Sequence, residues 1–401
     1  MYKVIAAFTK ALDLSDIRIV DHSHRVAYIV LKLGEQLDLD QHTIQEAVLA
    51  AFLHDIGISS SQWRLESHHL YPAEELVQSH CRLGADLVSQ VSFLQHLAPT
   101  IISHHDRWRG ANPSKMSGED IPLAARLIHL ADRIEIQIKP EPYILEQVPE
   151  IITRIDQLNH FFWPEAIAAF TQLRECEAFW FDLVTANHQK EIAESLPIEE
   201  ELPFPALQEI AELFATVIDL KSPFTAKHSR GVAATASWLA TLVGMSPVEV
   251  AEIEVAGLLH DLGKLAVPDQ ILEYPGSLSP DQFRLMKQHT YYTYHLLSCL
   301  PQYPHLKEWA AFHHEKLDGS GYPFRIPGDR LSLGARIMAV ADIFQALSED
   351  RPYRPGLSLT EIRQILDKSV ATGKIDADLT NLLMANPPNY LMHNGQPNLH
   401  K

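Results

Sequence analysis

The chain has 401 residues, 46% of them hydrophobic and 21% charged, which excludes a disordered or fibrous polymer and leaves room for two ordinary domains. Its net charge of −18 excludes a binder of long nucleic acid, which needs a cationic surface to displace counterions. No apolar run approaches the ~18–20 residues needed to cross a bilayer, and the opening MYKVIAAFTKALDLSDIR lacks the apolar stretch and cleavage site of a signal peptide.

Taken in chain order, the sequence reads as helices nearly throughout, because apolar residues recur at helical spacing and alternating β-branched runs are few. DHSHRVAYIVLKLGEQLDLD and EAVLAAFLHDIGIS open the first half; SHHDRWRGANPS and ARLIHLAD follow. Acidic residues and prolines in EIAESLPIEEELPFP mark a solvated connection, and ALQEIAELFATVIDL leads into the second half. There the pattern returns as KHSRGVAATASWLATLVGMS, EVAGLLHDLGKLA and ARIMAVAD. Ser246-Pro-Val-Glu249 and Ser279-Pro-Asp-Gln282 read as capping boxes, and Gly263 is placed to terminate the helix that Ser246 opens. Cys81, Cys176 and Cys299 show no C-x-x-C spacing. They read as buried, reduced apolar residues rather than ligands, with a reducing cytoplasm as the compartment.

The repetition is quantitative. His22 stands 32 residues before His54, and His228 stands 32 before His260; His80 precedes His104 by 24, and His289 precedes His313 by 24. This is a tandem duplication. The expected architecture is all-α, with a helical bundle over residues 1–190, a linker over 191–205 and a second bundle over 206–401.

The second copy gathers His228, His260, Asp261, His289, His313, His314 and Asp342 from separate segments, several inside apolar helices. Buried polar side chains are costly unless paired or coordinated. Any one of them alone would be an ordinary satisfied core residue; a whole set repeated at matching spacing points to metal. Neighbouring residues on a helix point about 100° apart, so an HD or HH pair can reach two ions with Asp261 bridging them. Imidazole and carboxylate donors without thiolate suit iron, manganese, zinc or nickel. Two such ions polarise a phosphate and activate water near neutral pH, and they would neutralise a phosphate substrate on this acidic protein.

These residues resemble a known family. His228, His260-Asp261 and Asp342 match the H…HD…D skeleton of HD superfamily phosphohydrolases. HDLGK at 260–264, KQHT around His289, HHEKLDGSGYP at 313–323 and ADIFQALSEDRPYR at 341–354 resemble its HD-GYP subfamily. The resemblance implies two tandem HD-type bundles, the seven residues above as ligands of two divalent ions (iron or manganese), and hydrolysis of cyclic di-GMP to linear pGpG. Asp261 and Lys264 would be catalytic, the lysine offsetting charge at the scissile phosphate. Gly321, Tyr322 and Pro323 would bound a base, and Arg351 and Arg354 would hold substrate phosphates. A mixed cyclic GMP–AMP dinucleotide is the alternative substrate, and a non-catalytic dinucleotide effector the alternative function. Phe224 stands where some members carry a glutamate for a third metal, so two ions are expected. Gln345 replaces a second aspartate, a change expected to tune the site.

The first copy keeps His22, His54, Asp55, His80, His104, His105 and Asp132 but loses the rest. Ile58 takes the lysine position, Asn112-Pro113-Ser114 stand in place of GYP, and no RPYR follows Asp132. The expectation is a regulatory metal-binding module. Pairing into a homodimer through exposed apolar helix faces completes the picture.

Overall fold

The computed structural model describes residues 1–14, 20–58, 74–196, 202–221, 228–274, 276–350 and 355–388. Among these the secondary structure is helical, with no strand, as the spacing of apolar residues predicts. The chain divides into two compact units, Met1–Glu209 and Ile210–Lys401. The helix Asn187–Ser195 belongs to the first unit, and residues 197–201 of the acidic connection lie outside the described residues. No described helix is long and apolar enough to cross a membrane.

In the first unit, α1 (Tyr2–Asp13), α2 (His22–Gln36), α3 (Gln41–Leu53), α4 (Glu74–Val88), α5 (Ala98–Ser103) and α6 (Leu123–Glu135) carry the polar cluster. The central helix α2 buries Val26, Ala27, Tyr28, Ile29, Val30 and Leu31, each at most 1% exposed. Asp13, fully buried at the end of α1, accepts from the backbone N–H of Ser23 at 2.9 Å and from its hydroxyl at 3.2 Å. That bond fixes the start of α2, where His22 sits.

The division between the units falls within α7 (Phe204–Lys221). The second unit continues with α8 (His228–Leu242), α9 (Pro247–Leu259), α10 (Pro280–Met286), α11 (Gln288–Leu297), α12 (Leu306–Ala311) and α13 (Leu333–Ser348). Both expected capping boxes form. The Glu249 N–H donates to Ser246 Oγ while its carboxylate accepts from the Ser246 N–H, and Gln282 does the same for Ser279. Each is worth about 1 kcal/mol. Ser358 and Glu361 form a third, which the sequence reading passed over. Asp219 repeats the role of Asp13, accepting from the Ser229 hydroxyl at 3.2 Å beside the start of α8.

Gly263 is a correction. The helix ends at Leu259 with His260 as its cap, and Gly263 is not among the residues with positive φ. Its function is close approach: a Cβ at Gly263 would stand 1.9 Å from the carbonyl oxygen of His289, and one at Gly57 would stand 2.1 Å from that of His80. In both copies the glycine lets the turn after HD pack directly on the helix bearing the third histidine.

Candidate metal centres

In the second unit the expected ligands converge from four helix ends and one helix face. His228 opens α8, His260 caps α9, His289 lies in the first turn of α11, and His313 and His314 follow α12; Asp342 joins them from the buried face of α13. The terminal carbonyls of a helix have no intrahelical partner, and this site uses them. His260 Nδ1 donates to Gly257 O, His289 Nδ1 to Met286 O and His313 Nδ1 to Ala310 O, each at 2.7 Å. An imidazole anchored through Nδ1 presents the Nε2 lone pair inward, the outer-shell arrangement typical of metal-binding histidines.

Asp261 divides its oxygens between two groups. Oδ2 lies 3.2 Å from His260 Nε2 and 2.6 Å from Lys264 Nζ, while Oδ1 lies 3.6 Å from His289 Nε2 and 4.0 Å from His313 Nε2. On one side, His228 Nε2 is 3.3 Å from Asp342 Oδ1; on the other, His289 and His313 face each other through Nε2 at 3.4 Å.

The electrostatics suit cations. Burial would raise the Asp261 carboxyl, but His260 and Lys264 hold it well below the usual carboxylate range. Burial lowers His289 to about 4 and His314 to about 3, against the pull of Asp261 and Asp342 respectively. Burial also opposes charge on His228, yet Asp342 and Glu349 raise it to about 9. Asp261, His289 and His314 are therefore already in the forms that ligate metal, whereas His228 would give up its proton to a bound ion. His260 Nε2 is buried without a hydrogen-bond partner among the described residues, although Asp261 stands 3.2 Å away. Two acceptors directed at a common point are the mark of a cation site, and the donor set fits one.

The first unit repeats this geometry. His54 Nδ1 donates to Ala51 O at 2.7 Å and His104 Nδ1 to Ile101 O at 2.6 Å. Asp55 Oδ2 faces His54 at 3.5 Å and His22 at 3.7 Å; Oδ1 faces His80 at 3.6 Å and His104 at 3.7 Å. His105 Nδ1 lies 3.7 Å from Asp132 Oδ2. Burial opposes charge on His22, but Glu135, Asp132 and Asp55 raise it to about 9. All seven expected residues are thus brought together here as well. The auxiliary chemistry differs: Ile58, at the lysine position as expected, is a buried apolar residue, and the structure adds Arg133, which occupies Asp132 Oδ2 at 2.5 Å.

The HD domain model matches residues 7–152 and again 212–379, one copy for each cluster. The chain belongs to the HD domain family. A 3′3′-cGAMP-specific phosphodiesterase of Vibrio cholerae is 30% identical over 95% of this chain and 90% of its own length. A cyclic di-GMP phosphodiesterase of Thermotoga maritima is 39% identical but pairs with 39% of this chain and 43% of its own. The crystal structure of a cyclic GMP–AMP-specific phosphodiesterase from V. cholerae superposes with a TM-score of 0.69 at 27% identity, covering 96% of both chains. The HD-GYP resemblance of the second copy therefore stands, and the first copy is a divergent HD domain.

The GYP loop of this HD protein is fastened to the HH pair. The Tyr322 N–H donates to His314 O at 3.3 Å, and its ring centre lies 4.9 Å from that of His314. A Cβ at Gly321 would stand 2.4 Å from Glu315 Cα, so glycine is required for the approach. Glu315, 1% exposed, accepts the backbone N–H groups of Phe324 at 2.8 Å and of Arg325 and Ile326 at 3.1 Å. Glu315→Ala should strand those three donors and lower stability by about 2–4 kcal/mol, read as a fall in melting temperature. An unchanged melt would refute the anchoring role. Arg351, Arg354 and Phe224 lie outside the described residues.

Four neighbours of the clusters, Glu349, Glu135, Arg25 and Cys81, were not singled out as such in the sequence. Glu349 Oε2 accepts from His228 Nδ1 at 3.1 Å, and Gln345 Nε2 holds the other carboxylate oxygen at 2.7 Å, so the departure at Gln345 supports a substitute carboxylate. In the first unit Glu135 takes that place, bonded to His22 Nδ1 and held by Arg25 Nε at 2.6 Å. The fourth is Cys81, which lies inside the first cluster. Of the three cysteines expected to be buried, Cys176 is exposed and Cys299 half-buried.

Proposed function

We propose that the second unit opens a 3′3′ cyclic dinucleotide to the linear dinucleotide, with the mixed GMP–AMP ring as first substrate and cyclic di-GMP as second. The observation that carries the reading is Asp261, whose two oxygens face different histidine groups while Lys264 stands against it. The choice of substrate rests on kinship: the relative named for 3′3′-cGAMP pairs with both HD copies, whereas the T. maritima enzyme named for cyclic di-GMP pairs with less than half of this chain.

His228, His260, Asp261 and Asp342 would hold one divalent ion; His289, His313, His314 and the other oxygen of Asp261 would hold a second. When bound, such a pair supplies Lewis acidity to the phosphate and lowers the pKa of water. Lys264 offsets charge that develops on the phosphoryl oxygens. Glu349 and the three helix-end carbonyls fix ring orientation and tautomer. Tyr322, beside His314, bounds a base. Arg351 and Arg354 supply forked donors to the phosphates. Water adds to phosphorus, the bond to one 3′ oxygen breaks, and that oxygen takes the proton to become the 3′ hydroxyl. The first unit, lacking the lysine and the GYP loop, serves as a regulatory metal-binding module.

The test is turnover of both dinucleotides by purified protein loaded anaerobically with iron or manganese, beside a His260→Ala, Asp261→Ala control. Linear product from the mixed dinucleotide in excess of that from cyclic di-GMP, and none from the control, is expected. A fully loaded protein that opens neither ring would overturn the enzymatic reading in favour of a dinucleotide effector. Metal analysis giving three ions in the second unit would overturn the dinuclear one.

A further inference from the structure

Cys81 follows His80 on α4 and is 3% exposed. Its Sγ lies 3.5 Å from His80 Nε2 and 4.0 Å from His104 Nε2. Those two nitrogens are 3.4 Å apart, and Asp55 Oδ1 stands 3.6 and 3.7 Å from them. Donors bonded tetrahedrally to one ion at ~2.0–2.3 Å stand about 3.3–3.8 Å from one another. Five separations among these four atoms thus come close to the edges of a single coordination tetrahedron, with sulfur at one corner.

The duplication supplies an internal comparison. In the second copy His289 Nε2, His313 Nε2 and Asp261 Oδ1 recur at 3.4, 3.6 and 4.0 Å, but the residue after the histidine is Thr290. Its hydroxyl turns back to donate to Lys287 O at 2.9 Å and offers nothing to the cluster. The shared bundle does not require a thiol here, since the matched position in the second copy holds threonine.

Independent atoms in the same cluster await a ligand. Asp132 Oδ1, on a residue 1% exposed, has no hydrogen-bond partner among the described residues and lies 3.8 Å from His22 Nε2. His105 Nε2 is likewise buried and unpartnered, and His105 offers a donor within 4.8 Å of those of His80, Cys81 and His104. Buried polar atoms without partners call for an ion.

We propose that Cys81 is a metal ligand and that the first unit holds an imidazole–carboxylate–thiolate centre selective for thiophilic ions such as zinc or cobalt. The second centre, with no thiol, favours harder ions. The inference rests on the reading that the first cluster binds metal at all, and the experiment separates the two.

Metal-free full-length protein, kept reduced, is titrated with cobalt(II) and followed by its near-ultraviolet sulfur-to-cobalt absorption and by bound cobalt per chain. The wild type, the His260→Ala/Asp261→Ala variant and a Cys176→Ser/Cys299→Ser variant are all expected to show the sulfur band. C81S is expected to lose it and to bind zinc at the first centre on the order of 10- to 100-fold more weakly. Cobalt bound by the first cluster without the band, counted as the cobalt lost in His54→Ala/Asp55→Ala, overturns the ligand role of Cys81 alone. No difference in bound cobalt between wild type and His54→Ala/Asp55→Ala overturns metal binding by the first unit, and this inference with it. Should C81S fail to fold, the Cys176→Ser/Cys299→Ser variant still decides, because Cys81 is then the sole thiol and absence of the band refutes its role.

Discussion

Asp261→Asn is expected to cut dinucleotide turnover by on the order of a thousandfold or more, about 4 kcal/mol of transition-state stabilisation, while leaving the helical fold in place. Asparagine keeps the shape of aspartate but replaces one oxygen by an amide nitrogen, which cannot donate a lone pair to a cation. The side chain therefore loses one of its two faces: either the one toward His260 and Lys264, at 3.2 and 2.6 Å, or the one toward His289 and His313, at 3.6 and 4.0 Å. Neither loss is repaired locally, because the other carboxylate of the set, Asp342, is already committed to His228. The measurement is kcat/KM with metal content determined on the same sample, and circular dichroism as the control for folding. Activity within tenfold of wild type, on a protein that has lost the Asp261 carboxylate, would place the chemistry elsewhere.

What the residue pattern reveals, and what it hides, follows from how far apart in the chain the partners lie. The gathering of all fourteen expected residues into two clusters was legible because the HD and HH pairs mark helix ends, and the duplication repeats the spacing. Glu349 and Glu135 were not, since they reach their histidines across 121 and 113 residues and carry no local motif. Glu315 sits in plain view inside HHEKLDGSGYP, yet its task of collecting three backbone N–H groups depends on how the loop returns nine to eleven residues later. Gly263 was visible as a special position for the wrong reason. A glycine that ends a helix and one that lets two segments touch look alike until the neighbouring carbonyl is known. Cys81 reads as a buried apolar residue and is buried; only its distances to His80 and His104 set it apart from an ordinary core cysteine. The helices and their caps needed no such long-range information and were read directly.

Removing divalent metal from the wild-type chain is expected to lower its melting temperature by about 5–10 °C, because each centre concentrates buried donors that have no better partner than a cation. His54, His104 and His260 are fully buried, and Asp55, Asp132 and Asp261 are at most 3% exposed. With metal present at a hundred times its dissociation constant, one site contributes about 2.7 kcal/mol, and a unit of this size shifts by roughly 2–4 °C for each kcal/mol. Without it His22 and His228, raised to about 9, must carry buried protons to offset the carboxylates, with His22 Nε2 only 3.3 Å from His54 Nε2. Calorimetry of the chain with and without chelator reads the effect, and adding back manganese or zinc should restore the original transition. Asp261→Asn provides the internal check: with the second centre already crippled, chelation should cost this variant only the share that belongs to the first. A chelated wild type that melts at the temperature of the loaded one would mean that the clusters are satisfied by their own hydrogen bonds, and the ligand assignments in both units would fall together.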